Sequence, residues 1–249
     1  MNEVISLLKA HRSIRKFTDQ PIDEALLADM IRAGQAAATS SFLQGVTVIR
    51  VTDQEKRAEM AQLAGGQPYV ETAAEFLVFC GDLRRASTCC DWHGATATEG
   101  FTEQFIIATV DAALMAQNVV IAAESAGLGI CYIGGIRNNP QEVSELLELP
   151  RLVTPVFGLC LGWPDQDPDL RPRLPLAVML KENRYDDSAD RDLIEAYDEE
   201  VRAYYQNRAK GHDGAVKVMS WSEQMSGMLS REARPHMRSF LEKRGFATK

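Results

Sequence analysis

The stretch FIIATVDAALMAQNVVIAAESAG, residues 105–127, decides the fold. It is the most apolar long run in the chain, and by length it could be taken for a membrane span. Asp111, Gln117, Asn118 and Glu124 interrupt it, and a spanning helix rarely carries that many polar groups. The run therefore reads as a buried helix of a water-surrounded domain, covering residues 102–126. GICYI (129–133) follows at once and reads as a short strand.

Working outward, helices and strands alternate. DEALLADMIRAGQAA (23–37) has helical spacing with Asp23 as N-cap, and DQEKRAEMAQLA (53–64) is a polar-faced helix that stops at Gly65 and Gly66. VTVIRV (46–51), AEFLVFC (74–80), TPVFGLCLGW (154–163) and LAVMLKE (176–182) read as strands. Residues 188–207 form a charged helix, and from Val201 to Lys249 basic residues outnumber acidic ones. Alternation of this kind points to an α/β or α+β domain around a mixed sheet.

The 249 residues carry a formal net charge of -8, with 45% hydrophobic and 25% charged residues. That balance argues against a protein that wraps nucleic acid or lies on an anionic membrane. No apolar leader or small-residue cleavage site opens the chain. The five cysteines include no C-x-x-C pair, and Cys80, Cys131 and Cys160 lie in apolar runs, so a reduced, cytoplasmic setting is expected. CCDWH (89–93) holds possible metal ligands, but they are crowded and no second cluster completes them. It reads as an ordinary loop, and no metal is expected.

Against the acidic background, KAHRSIRKF (9–17) gathers Lys9, Arg12, Arg15 and Lys16 without an acid. Two readings stand at this point. One is a solvated helix end, where cations suit the C-terminal dipole. The other is an anion pocket, in which His11, Ser13 and Arg15 share one side of an extended chain and Arg12 curves in. TSSFLQ (39–44) adds hydroxyls, RPR (171–173) adds two guanidinium forks, and GLGICYIGGIRN (127–138) frames a strand with glycines that let backbone approach a flat ligand. The glycine spacing does not match a Rossmann fingerprint, and no P-loop, G-x-S-x-G or H-E-x-x-H occurs. Donors without a nucleophile or base suit a protein whose cofactor carries the chemistry.

Taken together, HRSIRKFTDQPI (11–22), ATSSFLQ (38–44), GGQPYV (65–70), AAESAGLGICYIGGIRNN (122–139), FGLCLGWPDQDPDLRPRLP (157–175) and ARPH (233–236) resemble the nitroreductase superfamily. The likeness is to its branch of oxygen-insensitive NADPH nitroreductases and NADPH–FMN oxidoreductases. It implies an α+β fold, a mixed central sheet flanked by helices, and one FMN-dependent domain over 1–249. Residues 185–249 would form a helical excursion and a C-terminal extension that wraps the partner of a homodimer. It also implies FMN held without a covalent bond, with NADPH as electron donor.

By position, the resemblance assigns His11, Arg12, Ser13 and Arg15 to the FMN phosphate and part of the ring edge. Thr39, Ser40, Ser41, Gln67 and Tyr69 line the other side, Tyr132, Ile133, Gly134 and Gly135 pack on the ring, and Arg171 and Arg173 complete the phosphate cluster. Relatives commonly have Lys at 171 and Ser at 39; both replacements keep a donor. Arg208 matches a contact to the NADPH 2′-phosphate, with Lys210 and Lys217 as helpers. Ser41, Phe42 and Arg234 would meet the acceptor, and no side chain is expected to act as a catalytic nucleophile. The acceptors would be nitroaromatics, quinones or similar flat molecules. The alternatives are an FMN reductase and a non-catalytic FMN-binding protein.

Overall fold

Two central strands buried on both faces set the architecture. The computed structural model describes residues 2–210 and 218–249, of which the side chains of 209 and 210 are not described. It divides into two units, Met1–Pro168 with Arg234–Lys249, and Asp169–Ala233.

In the first unit, β1 (Val46–Arg50), β2 (Glu75–Asp82), β3 (Gly129–Ile133) and β4 (Val153–Gly162) form one sheet in the order β1-β2-β4-β3. Every neighbouring pair is antiparallel. The parallel element of the expected mixed sheet is a single bridge, Ser13 to Ile130, outside the named strands. β2 is buried along its whole length, which explains its near-continuous apolar sequence. Its side chains alternate: Phe76, Val78 and Cys80 face one core layer, Leu77 and Phe79 the other.

The layer holding Phe76 is covered by α3 (Gln54–Leu63), α4 (Tyr69–Thr72) and α7 (Pro140–Leu146). The opposite layer is covered by α2 (Glu24–Gln35) and by α6 (Thr102–Ser125). α6 is the helix read from the opening stretch, and its length and apolarity alone would let it cross a membrane. Instead it buries Ala108, Ala112, Met115, Ala116, Val119, Val120 and Ala123 in the core of the unit. The small alanines let α2 and the sheet approach closely: a Cβ on Gly34 of α2 would fall 2.6 Å from Val119. α1 (Glu3–Lys9) lies beside α6, while α11 (Met237–Lys243) buries Phe240 and Leu241 against Leu83, Ala108 and Leu152. Asp23 and Asp53 cap α2 and α3, each through backbone N–H groups of the first turn.

Two expectations are corrected. CCDWH is not a loop: Cys89 to Trp92 form the last turn of α5 (Arg84–Trp92). LAVMLKE is not a strand: in the second unit Leu176–Met179 make the single turn α8, started by Pro175. Proline pre-sets the entry to a turn, and the run finds no strand to pair with among the described residues. The second unit continues with α9 (Asp190–Lys210) and α10 (Trp221–Leu229). Asp198 of α9 is buried and accepts from the Ser222 backbone and hydroxyl, while Ser220 and Glu223 cap α10 reciprocally.

Candidate cofactor site

After α1 the chain leaves the helix at Ala10 and runs alongside β3. Ile14 N donates to Ile130 O at 2.8 Å, and Ile14 and Phe17 are buried. This approach requires Gly129, because a Cβ there would fall 2.6–2.9 Å from the Ile14 side chain. Burying Ile14 leaves the flanking cations outward, and the four candidate donors divide. His11 Nδ1 lies 2.5 Å from Glu124 Oε1 of α6. The Arg12 guanidinium pairs with Asp167, yet its Nε is buried without a partner. Arg15 is exposed and makes no ion pair among the described residues. It acts on two groups that burial pushes up, the Tyr69 hydroxyl and the Cys131 thiol, and partly offsets both shifts.

The turn after β3 joins this edge. A Cβ on Gly135 would fall 2.2 Å from Ala64 O and 2.4 Å from Gln67 Nε2, so the turn is pressed against the loop after α3. That loop is braced by Gln67 Nε2 donating to Ala64 O at 2.6 Å and Tyr69 Oη donating to Gln67 Oε1 at 2.6 Å. The protein itself uses the missing side chain of Gly135. The Ile133 side chain is fully buried, whereas Tyr132 is partly exposed and edge-on to Phe157. Arg234, in a left-handed conformation, donates to Asn138 Oδ1 at 3.0 Å, and His236 Nε2 lies 3.1 Å from Arg137 O. Ser13, Arg15, Gln67, Tyr69, Gly134, Gly135 and Arg234 thus belong to one edge of the first unit. Its donors, including the orphaned Arg12 Nε, fit an anion with a hydrogen-bonding ring edge, as FMN presents.

Thr39, Ser40, Ser41 and Phe42 lie elsewhere. They lead into β1, the opposite edge strand. With Ser13 outside β3, four strand spacings separate the two groups, roughly 19 Å across the sheet. The loop is held by a buried carboxylate of α6: Asp111 Oδ1 accepts from Ser40 N at 3.1 Å and Oδ2 from Gly45 N at 2.9 Å. Ser41, Phe42 and Gln44 all take positive φ, at 48°, 58° and 53°. Each costs roughly 1–2 kcal/mol, and bonds to a charged acceptor of about 1.5–3 kcal/mol apiece offset that strain. Phe42 stands 81% exposed at the tip.

In the second unit, the Arg171 guanidinium lies 5.4 Å from the Tyr205 ring centre and donates to the Tyr205 hydroxyl and to Gln224 Oε1. Arg173 Nη1 donates to Arg171 O at 3.0 Å, and Tyr197 Oη donates to Pro172 O at 3.0 Å. Arg208 is half-buried near the end of α9. Lys217 and the side chain of Lys210 lie outside the described residues. No group of three metal-ligating side chains occurs among the described residues.

Asp111, Glu124, Asn138 and Asp167 are partners of the candidate residues Ser40, His11, Arg234 and Arg12, and the sequence reading did not assign them. The first two had a visible signal: each is a polar residue inside an apolar run, and a buried polar group needs a partner.

A four-stranded antiparallel sheet between helical layers, with a cluster of cations beside one edge strand, defines an α+β protein. The Nitroreductase family matches residues 8–163, and the Nitroreductase family C-terminal domain matches residues 171–249. The chain belongs to the nitroreductase family. It is 47% identical to the NADPH-flavin oxidoreductase of Vibrio harveyi over 99% of both chains. It is 45% identical to the oxygen-insensitive NADPH nitroreductase of Salmonella typhimurium over the full length of both. Among solved structures it is similar to the NADPH:FMN oxidoreductase of Vibrio harveyi complexed with NAD+, at 46% identity, TM-score 0.90 and 100% of each chain.

Proposed function

We propose that the protein is an FMN-dependent NADPH oxidoreductase that reduces nitroaromatics, quinones or related flat acceptors. When bound, FMN supplies two-electron hydride chemistry between NADPH and the acceptor. The chain's own residues bind and orient. Ser13 and Arg15, with Arg12 Nε, donate to the phosphate and ring edge; for Arg171 and Arg173 a phosphate role rests on the family resemblance alone. Gln67 and Tyr69 brace the turn whose Gly134 and Gly135 backbone approaches the ring, and Tyr132 covers its flank. Arg234 reaches acceptor oxygens, and Arg208 selects the NADPH 2′-phosphate.

The observation that carries this reading is Arg15. An exposed guanidinium without a carboxylate partner among the described residues follows Ile14, which is bonded to β3, and its charge acts on the Tyr69 hydroxyl and the Cys131 thiol. The test is direct. Purified protein should be yellow, with one FMN per chain, and should bleach anaerobically with NADPH. A colourless protein that takes up no FMN, or a yellow one that NADPH leaves unbleached, refutes the reading.

A homodimer is part of the same proposal, with Thr39, Ser40, Ser41 and Phe42 of one copy completing the site of the other. The opposite-edge placement of the two halves supports it. So does an apolar stripe, Ile106, Val110 and Leu114 on α6 with Val4, Ile5 and Leu8 on α1, all more than 40% exposed. One FMN domain then extends over the whole chain, with the C-terminal extension on the partner. Free FMN as acceptor is the second reading, favoured by the name of the Vibrio harveyi relative. Comparing turnover of free FMN with that of nitrofurans and quinones separates the two. A non-catalytic FMN binder is set aside, because these relatives are named as oxidoreductases. Five free thiols agree with the cytoplasmic setting included in this reading.

A further inference from the structure

Asp111 lies in the apolar middle of α6 and is 1% exposed. No ion pair engages it among the described residues. Its two oxygens instead accept the backbone N–H groups at the two ends of one loop, Ser40 and Gly45. Between those anchor points lie Ser41, Phe42 and Gln44, three non-glycine residues in the left-handed region. Within the loop, Leu43 N donates to Ser40 O at 2.9 Å, Phe42 N to Thr39 O at 3.4 Å and Gln44 N to Thr39 Oγ1 at 3.4 Å, while at its C-terminal end Arg85 Nη1 donates to Gln44 O at 3.1 Å, Val46 N to Gln44 O at 2.8 Å and Asp82 N to Gly45 O at 2.9 Å. The two longest, both to Thr39, are weak. Such a loop relaxes unless something outside it fixes its ends, and strain of this kind collects where a side chain must be presented in one orientation.

We propose that Asp111 is a positioning residue: it clamps the 39–45 loop shut and thereby presents Ser41 and Phe42 to the acceptor. This rests on the oxidoreductase reading above, since Ser41 and Phe42 take their role from it. The clamp is a property of the loop itself and is measurable without turnover. Both N–H groups need an acceptor oxygen. In Asp111→Asn the amide offers one oxygen, and its NH2 would face the second N–H donor.

The test is hydrogen exchange on the FMN-loaded protein, combined with steady-state kinetics. Asp111→Asn should speed exchange at the Ser40 and Gly45 amides about tenfold or more, with the amides of β2 unchanged. The acceptor KM should rise several-fold. Gln44→Gly removes left-handed strain at an exposed position outside the proposed site. Added to Asp111→Asn, it should restore much of the protection and of the acceptor KM. A role confined to packing α6 gives no such rescue, so absence of rescue overturns the proposal. Unchanged loop exchange in Asp111→Asn overturns it as well. If Asp111→Asn alone does not accumulate as folded protein, the double variant should, and failure in both backgrounds also counts against the clamp. Loss of NADPH bleaching in the parent protein is a separate outcome and speaks against the oxidoreductase reading, not the clamp.

Discussion

Gly135 and Ala64 are pressed together so closely that a Cβ on Gly135 would stand 2.2 Å from the Ala64 carbonyl oxygen. The obstacle is backbone, so it cannot swing aside. Gly135→Ala should therefore destabilise the protein by about 1–3 kcal/mol, the usual cost of overpacking. Gly134 is a built-in control. Its nearest neighbour would be a side-chain end, the Arg137 guanidinium, at 3.3 Å rather than backbone. Gly134→Ala should change stability much less, and thermal melts of the two variants check the difference.

Arg12 and Arg15 are two residues of one cation cluster with different surroundings. Arg12 already pairs with Asp167, whereas Arg15 has no acid partner among the described residues. Arg15→Ala should weaken FMN binding roughly tenfold or more, and Arg12→Ala by less. Titration of apoprotein with FMN and with riboflavin reads the phosphate contribution separately. Equal losses for both ligands in Arg15→Ala would remove Arg15 from the phosphate.

Three thiols are sealed in the core, and burial pushes Cys80 up to about 12 from 9.0. Cys131 and Cys160 are raised by the same cause. A raised acid favours the folded state while the thiol stays protonated. That stability is fully present below about pH 9 and is lost as pH rises toward about 12, because the unfolded chain releases the proton first. Denaturant midpoints should fall across this window, and Cys80→Val should flatten the fall. In the native protein near neutral pH, a thiol reagent should reach half-buried Cys89 and Cys90 before the other three.

Arg208→Ala should raise KM for NADPH and leave NADH turnover and FMN content nearly unchanged. A partly exposed Arg–phosphate pair contributes roughly 1–3 kcal/mol, or about 5- to 150-fold in kcat/KM. Equal effects on both nucleotides would take Arg208 out of the nucleotide site.

What the sequence made legible was local. Strands β1 to β4 and helices α2, α3 and α6 follow from periodicity, caps and apolar runs, and the structure places them within a few residues of expectation. LAVMLKE misled because its apolar run was read without the preceding proline, and CCDWH because its ligand-rich composition drew attention away from the helix it ends. The deeper miss was relational. Asp111 and Glu124 read as flaws in an apolar helix, which excluded a membrane span but assigned them no work. Their partners are 66, 71 and 113 residues away, and no local pattern reports such pairings. The resemblance put Thr39, Ser40 and Ser41 on the other side of the FMN from residues 11–15, but the sheet order that sends the two groups to opposite edges is not written in either stretch.

α6 sets a distance and a phase at once. Asp111 grips the 39–45 loop and Glu124 grips His11, and the two stand about 20 Å apart along one helix axis. Their bearings around that axis are set by the number of residues between them. A single residue inserted there would turn one carboxylate by about 100° and lengthen the spacing by only about 1.5 Å. The helix would stay helical, but one of its two handholds would face the wrong way. Chain length between Asp111 and Glu124 should therefore tolerate substitution far better than insertion or deletion.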